Sequence, residues 1–276
     1  MNEACTIGAR IVRSDDEYIV FKNKDFARRH LDDKIVLASS YFSVEGVTTW
    51  DADGTRPDRF AGFSIGINDA LLSCCCSNVR SIDEAFPYDL LVRCVVEGSR
   101  TFSQAVSRIK EEVRRRPYVW GNLLIATPQE VGVIEVRDRI KVERSQEFAV
   151  RANHHLVFGQ SPLDDDQDTT ENRLNDAREK IERSRSVEDV LALCRSHMPE
   201  KGHSSICRHG PPYSTVYSYI IHVKDGEIDF HVCQGNPCEG KYSKIPIKFY
   251  PAEQDVYSIL TSYPSRYYRA GATPED

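Results

Sequence analysis

The stretch that decides the fold runs from Cys5 to Phe26 and reads CTIGARIVRSDDEYIVFKNKDF. Apolar side chains alternate with others through residues 6–12, and a second apolar run covers residues 18–21. The polar residues Ser14-Asp15-Asp16-Glu17 separate the two runs. Alternation on both sides of a polar turn is typical of a β-hairpin. The pattern therefore predicts that Cys5 opens the first strand of this hairpin.

Strand patterns and helix patterns follow in blocks along the rest of the chain. Two helices are predicted in the first half, one beginning near Pro87 and one after a capping box at Thr101 to Gln104. A third helix is predicted after the acidic residues 163–168, and a short fourth helix after Ser186. Further strands are predicted at residues 34–40, 63–68, 71–76, 122–127, 132–136, 140–142, 216–223 and 228–232, the last two joined by a type I′ turn at Asp225-Gly226. Blocks of strands separated by helices favour α+β packing over alternating units of a parallel sheet.

The composition excludes several classes of partner. The chain has 36 Lys and Arg against 42 Asp and Glu, a formal charge of -6, so no basic field is available to bind nucleic acid. No apolar run approaches the roughly 18 residues of a spanning helix, and the first residues lack the pattern of a signal peptide. Nine cysteines without framework spacing suit a reducing compartment. We therefore expect a cytoplasmic protein without a nucleic-acid or membrane partner.

Cys5 is the position whose own chemistry is most suggestive. If residues 1–4 are removed, the new α-amine, with a reference pKa of about 7.7–8.0, can accept the thiol proton at neutral pH. Ala4 is small enough for the thiol to attack its carbonyl carbon, which is the first step of self-cleavage. The other interpretation, which position alone favours, is a structural cysteine buried in a strand.

Several short motifs occur in a fixed order along the chain. They are Cys5-Thr6, Phe21-Lys22-Asn23-Lys24-Asp25-Phe26, Asn68-Asp69-Ala70-Leu71-Leu72 with Asn78 ten residues after Asn68, Trp120-Gly121-Asn122-Leu123-Leu124-Ile125-Ala126, Val133-Ile134-Glu135, Asn153-His154, Ser205-Ile206-Cys207-Arg208-His209 and Pro237-Cys238-Glu239-Gly240. Together they resemble the choloylglycine hydrolase and penicillin V acylase group of N-terminal nucleophile hydrolases. They resemble more closely the related acyl-coenzyme A:6-aminopenicillanic-acid acyltransferase family, over a region from Cys5 to about Tyr242.

This resemblance implies a fold and a domain organisation. The fold is an αββα four-layer sandwich, in which two stacked antiparallel sheets are flanked by helices. Residues 1–4 are then a short leader removed on maturation, either by self-cleavage or by another protease. Residues 5–262 are a single domain, and residues 263–276 a C-terminal tail. The α+β order read from the sequence allows this architecture.

The resemblance also implies roles for six residues, Cys5, Lys22, Asp25, Asn78, Asn153 and Arg173. Cys5 is expected to be the nucleophile, its freed amine the base, and Asp25 the group that orients the amine. Asn78 and Asn153 are expected to contribute contacts to the oxyanion and the amine. Arg173 corresponds to an arginine that closes the site, across a loop of variable length. Taken singly, Asp25 and the two asparagines also fit turn and strand-end hydrogen bonding.

Lys22 departs from the family pattern, which has arginine at this position. An ammonium does not reproduce the planar fork of a guanidinium, so we expect a weaker or differently placed contact near the nucleophile. This departure is the feature that most favours a non-catalytic binding protein built on the same scaffold.

The function predicted from these residues is that of a cysteine amidohydrolase. It is expected to cleave a linear amide, of the N-acyl amine or N-acyl amino acid type, through an acyl-enzyme on Cys5. Alternatives with the same machinery are an acyltransferase, moving an acyl group from a thioester or amide to an amine, and a peptidase-like enzyme for small peptides. The expected partner is a small-molecule acyl amide or acyl thioester. No cofactor is expected, and exposed strand edges allow a homodimer.

A second cluster of reactive side chains follows in the last third of the chain: His203, Cys207, His209, His231, Cys233 and Cys238. Thiolates and imidazoles are zinc ligands, but these spacings fit no tight paired knuckle. We therefore expect ordinary strand and loop residues and no metal. One further alternative is a thiol site at Cys207 that is assisted by His209. Another is a cation bound by the acidic residues 164–166, although a solvated loop is the simpler interpretation of these residues.

Overall fold

The predicted hairpin is present at the start of the chain. In the computed structural model, strand β1 (Glu3–Val12) pairs antiparallel with β2 (Glu17–Phe26), and the register runs from Glu3 opposite Phe26 to Val12 opposite Glu17. The structure describes residues 3–12, 16–26, 33–45, 47–50, 57–60, 62–81, 85–159, 167–211 and 213–249.

The described residues form further strands and four helices. The strands are β3 (Lys34–Leu37), β4 (Tyr41–Glu45), β5 (Val47–Trp50), β6 (Pro57–Phe60), β7 (Ile65–Asn68), β8 (Ser73–Asn78), β9 (Gly121–Ala126), β10 (Val131–Val136), β11 (Ile140–Ser145), β12 (Phe148–Arg151), β13 (Ser214–Lys224), β14 (Glu227–Gln234) and β15 (Ser243–Ile247). The helices are α1 (Asp89–Gly98), α2 (Phe102–Arg115), α3 (Gln167–Arg183) and α4 (Val187–Cys194).

These strands build two large antiparallel sheets. The first sheet has the order β12-β1-β2-β13-β14-β15, and the second has the order β11-β10-β9-β8-β7-β4-β3. Strands β5 and β6 pair with each other. Buried apolar residues of both large sheets, such as Ile7 of β1 and Leu124 of β9, form one core between them.

The helices cover the outer faces of the two sheets. Leu91 of α1 and Ile109 of α2 pack on the second sheet, whereas Ala177 of α3 and Leu193 of α4 pack on the first. Each apolar helix face is thus buried against a sheet, which is the favourable arrangement for amphipathic elements. The predicted αββα four-layer sandwich is confirmed.

Local signals account for several of these elements. Ser186 and Asp189 form a complete capping box at the start of α4, and the turn between β13 and β14 has positive φ at Asp225 and Gly226, as a type I′ turn requires. At α2 only the Thr101 half of the predicted box is seen, because Gln104 Oε1 accepts from the backbone N–H of Arg100 and not from that of Thr101.

Some expectations differ from the structure or fall outside it. Residues 41–62, where the sequence pattern predicts no strand, contain β4, β5 and β6. Three predictions concern residues outside the described part of the chain. They are the removal of the leader, of which residues 1–2 lie outside, the acidic loop at residues 164–166, and the C-terminal tail at residues 263–276. Within the described residues, none of the helices has the length and apolarity needed to cross a membrane.

Candidate active site

Cys5 lies near the beginning of β1, on the face that points between the two sheets. Its side chain is fully buried with those of Ile7 and Ala9, which follow it on the same face at the two-residue period of a strand. The Cys5 backbone N–H donates to Asn153 Oδ1 at 3.1 Å. The nitrogen that becomes the α-amine if the preceding residues are removed therefore already has a fixed hydrogen-bond acceptor.

Arg173 of α3 holds the other backbone atom of Cys5. Its Nη1 donates to the Cys5 carbonyl oxygen at 3.1 Å and to Thr6 Oγ1 at 3.2 Å, and its Nη2 donates to Asn153 Oδ1 at 2.9 Å. The guanidinium is fully buried. A planar fork can reach these acceptors at once, which a single ammonium cannot do. Arg173 thus ties Cys5 to Asn153.

Asn153 connects the two sheets at this point. It follows β12, its backbone N–H donates to Thr170 Oγ1 of α3 at 2.8 Å, and its Nδ2 donates to the Asn78 carbonyl oxygen at 2.8 Å. Asn78 ends β8 and is almost entirely buried. The structure therefore brings Cys5, Asn78, Asn153 and Arg173 together through direct hydrogen bonds.

Asp25 is placed on the helix-facing side of the first sheet and is fully buried. Thr215 Oγ1 of β13 donates to Asp25 Oδ1 at 2.7 Å, and Asp25 Oδ2 lies 3.9 Å from Arg173 Nη1 and 4.0 Å from Arg208 Nη1. Two buried guanidiniums therefore share one buried carboxylate. Through Arg173, this group is linked to the Cys5 carbonyl.

Lys22 lies outside the hydrogen-bonded group of Cys5, Asn78, Asn153 and Arg173. It lies opposite Ile7 in the hairpin, and its Nζ is 3.4 Å from the Ser64 carbonyl oxygen and 3.6 Å from Cys76 Sγ. Cys76 Sγ in turn lies 3.4 Å from Asp89 Oδ1 of α1. The ammonium is directed across the core toward the second sheet.

Sequence reasoning missed a second buried lysine beside Cys5. Lys24 is the residue directly opposite Cys5 in the hairpin, and directly opposed side chains of a strand pair lie on one face. Its Nζ donates to both carboxylate oxygens of Asp33, at 2.8 and 3.0 Å, and Tyr219 OH donates to Asp33 at 2.5 Å. The only sequence signal was the position of Lys24 within the motif that also contains Lys22 and Asp25.

Arg208, Thr215 and Asn122 are further polar residues around the site to which sequence reasoning gave no role. Asn122 of β9 donates from Nδ2 to Ser77 Oγ at 3.1 Å and to the carbonyl oxygens of Ala152 and His154, each at 3.2 Å. These bonds fix the backbone on both sides of Asn153. Asn122 and Arg208 both lie inside the motifs that carried the resemblance, which was the available signal.

The chain after Asn153 is held by a buried carboxylate. Glu135 of β10 accepts hydrogen bonds from the backbone N–H groups of Leu156, Val157 and Phe158, at 2.7 to 3.0 Å, and from Arg151 Nε at 3.2 Å. Burial acts to raise the pKa of Glu135, but these donors outweigh it and hold the pKa below its ordinary value of 4.5. The carboxylate therefore stays ionised and fixes this segment.

His155 is held as a neutral ring in the same segment. Burial lowers the pKa of His155 to about 4. Arg137 Nε donates to His155 Nδ1 at 2.9 Å, so Nε2 carries the proton and donates to the Gly121 carbonyl oxygen at 3.1 Å. His155 thus has both ring nitrogens engaged, Nε2 with the backbone of Gly121 and Nδ1 with the Arg137 side chain.

Of the six reactive side chains that the sequence offered as a second cluster, only three come together. Cys207, His209 and Cys238 converge, and they are joined by His197, which sequence reasoning did not include. His231 lies instead with His222 and Asp229. Cys233 is directed toward Gly240, where its sulfur occupies the space a Cβ would take, and His203 is also outside the group.

Comparisons with known proteins give matches over most of the chain. The sequence model of the family described as acyl-coenzyme A:6-aminopenicillanic acid acyl-transferase matches residues 12–220. No curated protein matches significantly. Among solved structures, a Caenorhabditis elegans ortholog of N-acylethanolamine-hydrolyzing acid amidase has a TM-score of 0.50 and 17% identity, covering 79% of this chain and 92% of that one. Its likeness supports the fold.

Two further structures are similar at lower scores. Penicillin V acylase from Agrobacterium tumefaciens has a TM-score of 0.49 and 11% identity, covering 88% of this chain and 86% of that one. A variant of the conjugated bile acid hydrolase from Clostridium perfringens has a TM-score of 0.47 and 12% identity, covering 91% of this chain and all of that one.

Proposed function

Because the chain belongs to the acyl-coenzyme A:6-aminopenicillanic acid acyl-transferase family, we propose that it cleaves a linear amide with Cys5 as N-terminal nucleophile. Homologous families are amide hydrolases or acyltransferases of the N-terminal nucleophile type, and the chain is an enzyme of this kind. The finer proposal is that of a cysteine amidohydrolase acting on an N-acyl amine or N-acyl amino acid.

The observation that carries this proposal is the way both backbone atoms of Cys5 are held. Its nitrogen donates to Asn153 Oδ1, and its carbonyl oxygen accepts from Arg173. An N-terminal nucleophile uses its own α-amine as the base, so the direction of that nitrogen decides whether it can accept the thiol proton. A buried strand residue needs partners at both backbone atoms, and at Cys5 the side chains of Asn153 and Arg173 supply them in place of a neighbouring strand.

Maturation exposes the amine. The Cys5 thiol attacks the Ala4 carbonyl carbon, the Ala4–Cys5 C–N bond breaks as an S-acyl link forms, and water hydrolyses that link. Ala4 is buried beside Cys5 with a small side chain that leaves its carbonyl open to attack. The product is a chain that begins at Cys5 with a free α-amine.

In the catalytic cycle, the Cys5 thiol gives its proton to the α-amine and its sulfur attacks the amide carbonyl carbon. The oxyanion is stabilised by neutral donors at Asn78 and Asn153. One such donor lowers the activation barrier by about 3–4 kcal/mol. The C–N bond then breaks and the Cys5 ammonium returns the proton to the leaving amine. Water hydrolyses the acyl-enzyme to a carboxylic acid and restores the thiol.

Acyl transfer is the second candidate function, and the family description favours it. The acyl-enzyme is common to both reactions, and they differ only in whether water or an amine attacks it. In that case an acyl thioester can serve as the acyl donor in place of an amide.

The experiment is a product analysis on purified protein. N-acyl amino acids, an N-acylethanolamine and an acyl thioester are offered with and without an added amine, and acid and N-acyl products are quantified. Turnover is expected for the wild type, a severe decrease for Cys5→Ser and none for Cys5→Ala. Equal turnover by the wild type and Cys5→Ala would overturn the proposal, and N-acyl product in place of acid would select acyl transfer.

A further inference from the structure

Four metal-ligating side chains converge at one end of the first sheet, away from the Cys5 side chain. His197 follows α4, Cys207 and His209 lie on the loop before β13, and Cys238 lies on the turn after β14. Each offers one ligand atom, and all four atoms lie within 4.8 Å of one another. Cys207 is buried and the other three are half-buried, so the group is enclosed but open to an ion from solvent.

The contacts in this group exceed what hydrogen bonding can satisfy. His209 Nε2 lies 3.1 Å from His197 Nε2, 3.3 Å from Cys238 Sγ and 3.5 Å from Cys207 Sγ. A neutral imidazole nitrogen has either one proton or one lone pair, so it can make one such hydrogen bond. Three heteroatoms around a single ring nitrogen therefore indicate a common partner at the centre of the group.

The three distances from His209 Nε2 are close to the edge lengths of a tetrahedron around zinc. Zn–N bonds of about 2.0–2.1 Å and Zn–S bonds of about 2.3 Å at tetrahedral angles place the ligand atoms about 3.3–3.8 Å apart. The measured separations of 3.1, 3.3 and 3.5 Å lie close to this range. Two cysteines and two histidines form one of the closed ligand sets of structural zinc sites.

The groups around the four side chains are those that support a metal site. Asn236 Nδ2 donates to Cys207 Sγ at 3.8 Å and to the Arg208 carbonyl oxygen at 2.5 Å. Glu239 Oε1 lies 3.9 Å from His209 Nδ1, on the side of the ring away from the group, and also binds Lys201 at 2.9 Å. A donor to a ligating sulfur orients that ligand, and the Glu239 carboxylate adds negative charge beside the ring of His209.

We propose that His197, Cys207, His209 and Cys238 bind a structural zinc ion. The ion joins three segments that are far apart in the sequence: the end of α4, the loop before β13 and the turn after β14. Cys207 and His209 flank Arg208, whose guanidinium lies 4.0 Å from Asp25. The zinc ion therefore fixes the loop that brings Arg208 to the candidate active site.

Binding is coupled to proton release. Zinc binds the thiolate forms, so both cysteines release their protons to solvent while the two imidazoles bind through a ring lone pair. The affinity for zinc therefore decreases as the pH falls.

The test measures metal content directly and needs no substrate, so its failure is distinguishable from failure of the proposed function. Full-length protein is stripped of bound metal with a chelator, incubated with zinc chloride and separated from excess ion. Its zinc content is then measured by elemental mass spectrometry. We expect about one zinc ion per wild-type chain. In Cys238→Ala we expect the zinc content per chain to be at least about tenfold lower. Cys94→Ser is the matched control, because Cys94 lies half-buried on α1, outside the group.

A second measurement on the wild type does not depend on the variant folding. Cobalt chloride added to the stripped protein is expected to give the visible bands of tetrahedral cobalt and a thiolate-to-cobalt charge-transfer band. Three results would overturn the proposal: no stoichiometric metal in the wild type, equal metal in Cys238→Ala and wild type, or a Cys207–Cys238 disulfide in the unreduced protein as purified.

Discussion

Replacing Glu135 by glutamine tests how the segment that carries Asn153 is held. The wild-type carboxylate accepts from three successive backbone N–H groups and from Arg151, and its side chain is about 1% exposed. Glutamine has the same shape but presents an NH₂ group where one of the two oxygens was. At least one of the N–H groups that donate to Glu135 in the wild type then faces the NH₂ group of glutamine, which is a donor and cannot accept its hydrogen bond.

The magnitude follows from these bonds. A hydrogen bond to a charged acceptor contributes about 1.5–3 kcal/mol and one to a neutral acceptor about 0.5–1.5 kcal/mol, so the surviving bonds weaken and one is lost. Arg151 also loses its buried counter-charge, although Glu143 still accepts from its Nη2 at 3.0 Å. We expect Glu135→Gln to lower the free energy of unfolding by about 3–5 kcal/mol.

The pH dependence has a defined sign. The folded-state pKa of Glu135 lies below 4.5, so the carboxylate stabilises the fold fully above pH 4.5. This stabilisation is lost as the pH falls through the folded-state pKa. The difference between wild type and Glu135→Gln should therefore be constant at neutral pH and shrink in acid.

Urea unfolding followed by tryptophan fluorescence is the assay, because Trp120 lies beside His155 in this region. Glu143→Gln is the control: Glu143 binds the same Arg151 but is 44% exposed, so its loss should cost no more than about 1 kcal/mol. The reasoning would be refuted if Glu135→Gln unfolded within about 1 kcal/mol of the wild type.

Two other substitutions test the contacts around Cys5. Asn153→Ala removes the acceptor of the Cys5 nitrogen and one acceptor of Arg173, so kcat should fall by about 10²–10³-fold with a smaller change in KM, measured by steady-state kinetics. An unchanged kcat would mean that Asn153 has no part in the reaction. Asp25→Asn leaves Arg173 and Arg208 without their shared carboxylate, so urea unfolding should show a loss of about 3–5 kcal/mol. A loss below about 1 kcal/mol would show that the charge is dispensable.

Elements with strong local signals could be predicted from the sequence. The first hairpin was indicated by alternating apolar residues around a polar turn, and α4 by the cap at Ser186. Strand β4 was missed although Phe42 and Val44 are buried, because a short strand between two polar segments has little periodicity of its own. Its structure depends on the neighbouring strands β3 and β7.

The site shows the same division. Cys5, Asn78, Asn153 and Arg173 could be proposed because they lie in or near recognisable motifs, and the structure joins them by hydrogen bonds. Lys24 could not, because its pairing with Asp33 forms only when the hairpin and the chain after it fold together.

The group that we propose as a zinc site could be predicted from the sequence only in part, because His197 was not among the candidate ligands. His197, Cys207 and Cys238 are separated by unequal intervals that match no short ligand motif, so only the tertiary fold brings them together. His231 and Cys233 share a strand face but lie outside this group, because a shared face does not bring two side chains to the same site.

The mass of the intact protein tests the central claim most directly. Wild type and Cys5→Ala are purified side by side under reducing conditions, and their N-terminal residues are read from the masses. The account predicts that the active wild-type chain begins at Cys5, whereas Cys5→Ala retains the residues that precede position 5. An active wild-type enzyme that still carries Ala4 would contradict it, because its Cys5 nitrogen would be an amide and could not act as the base.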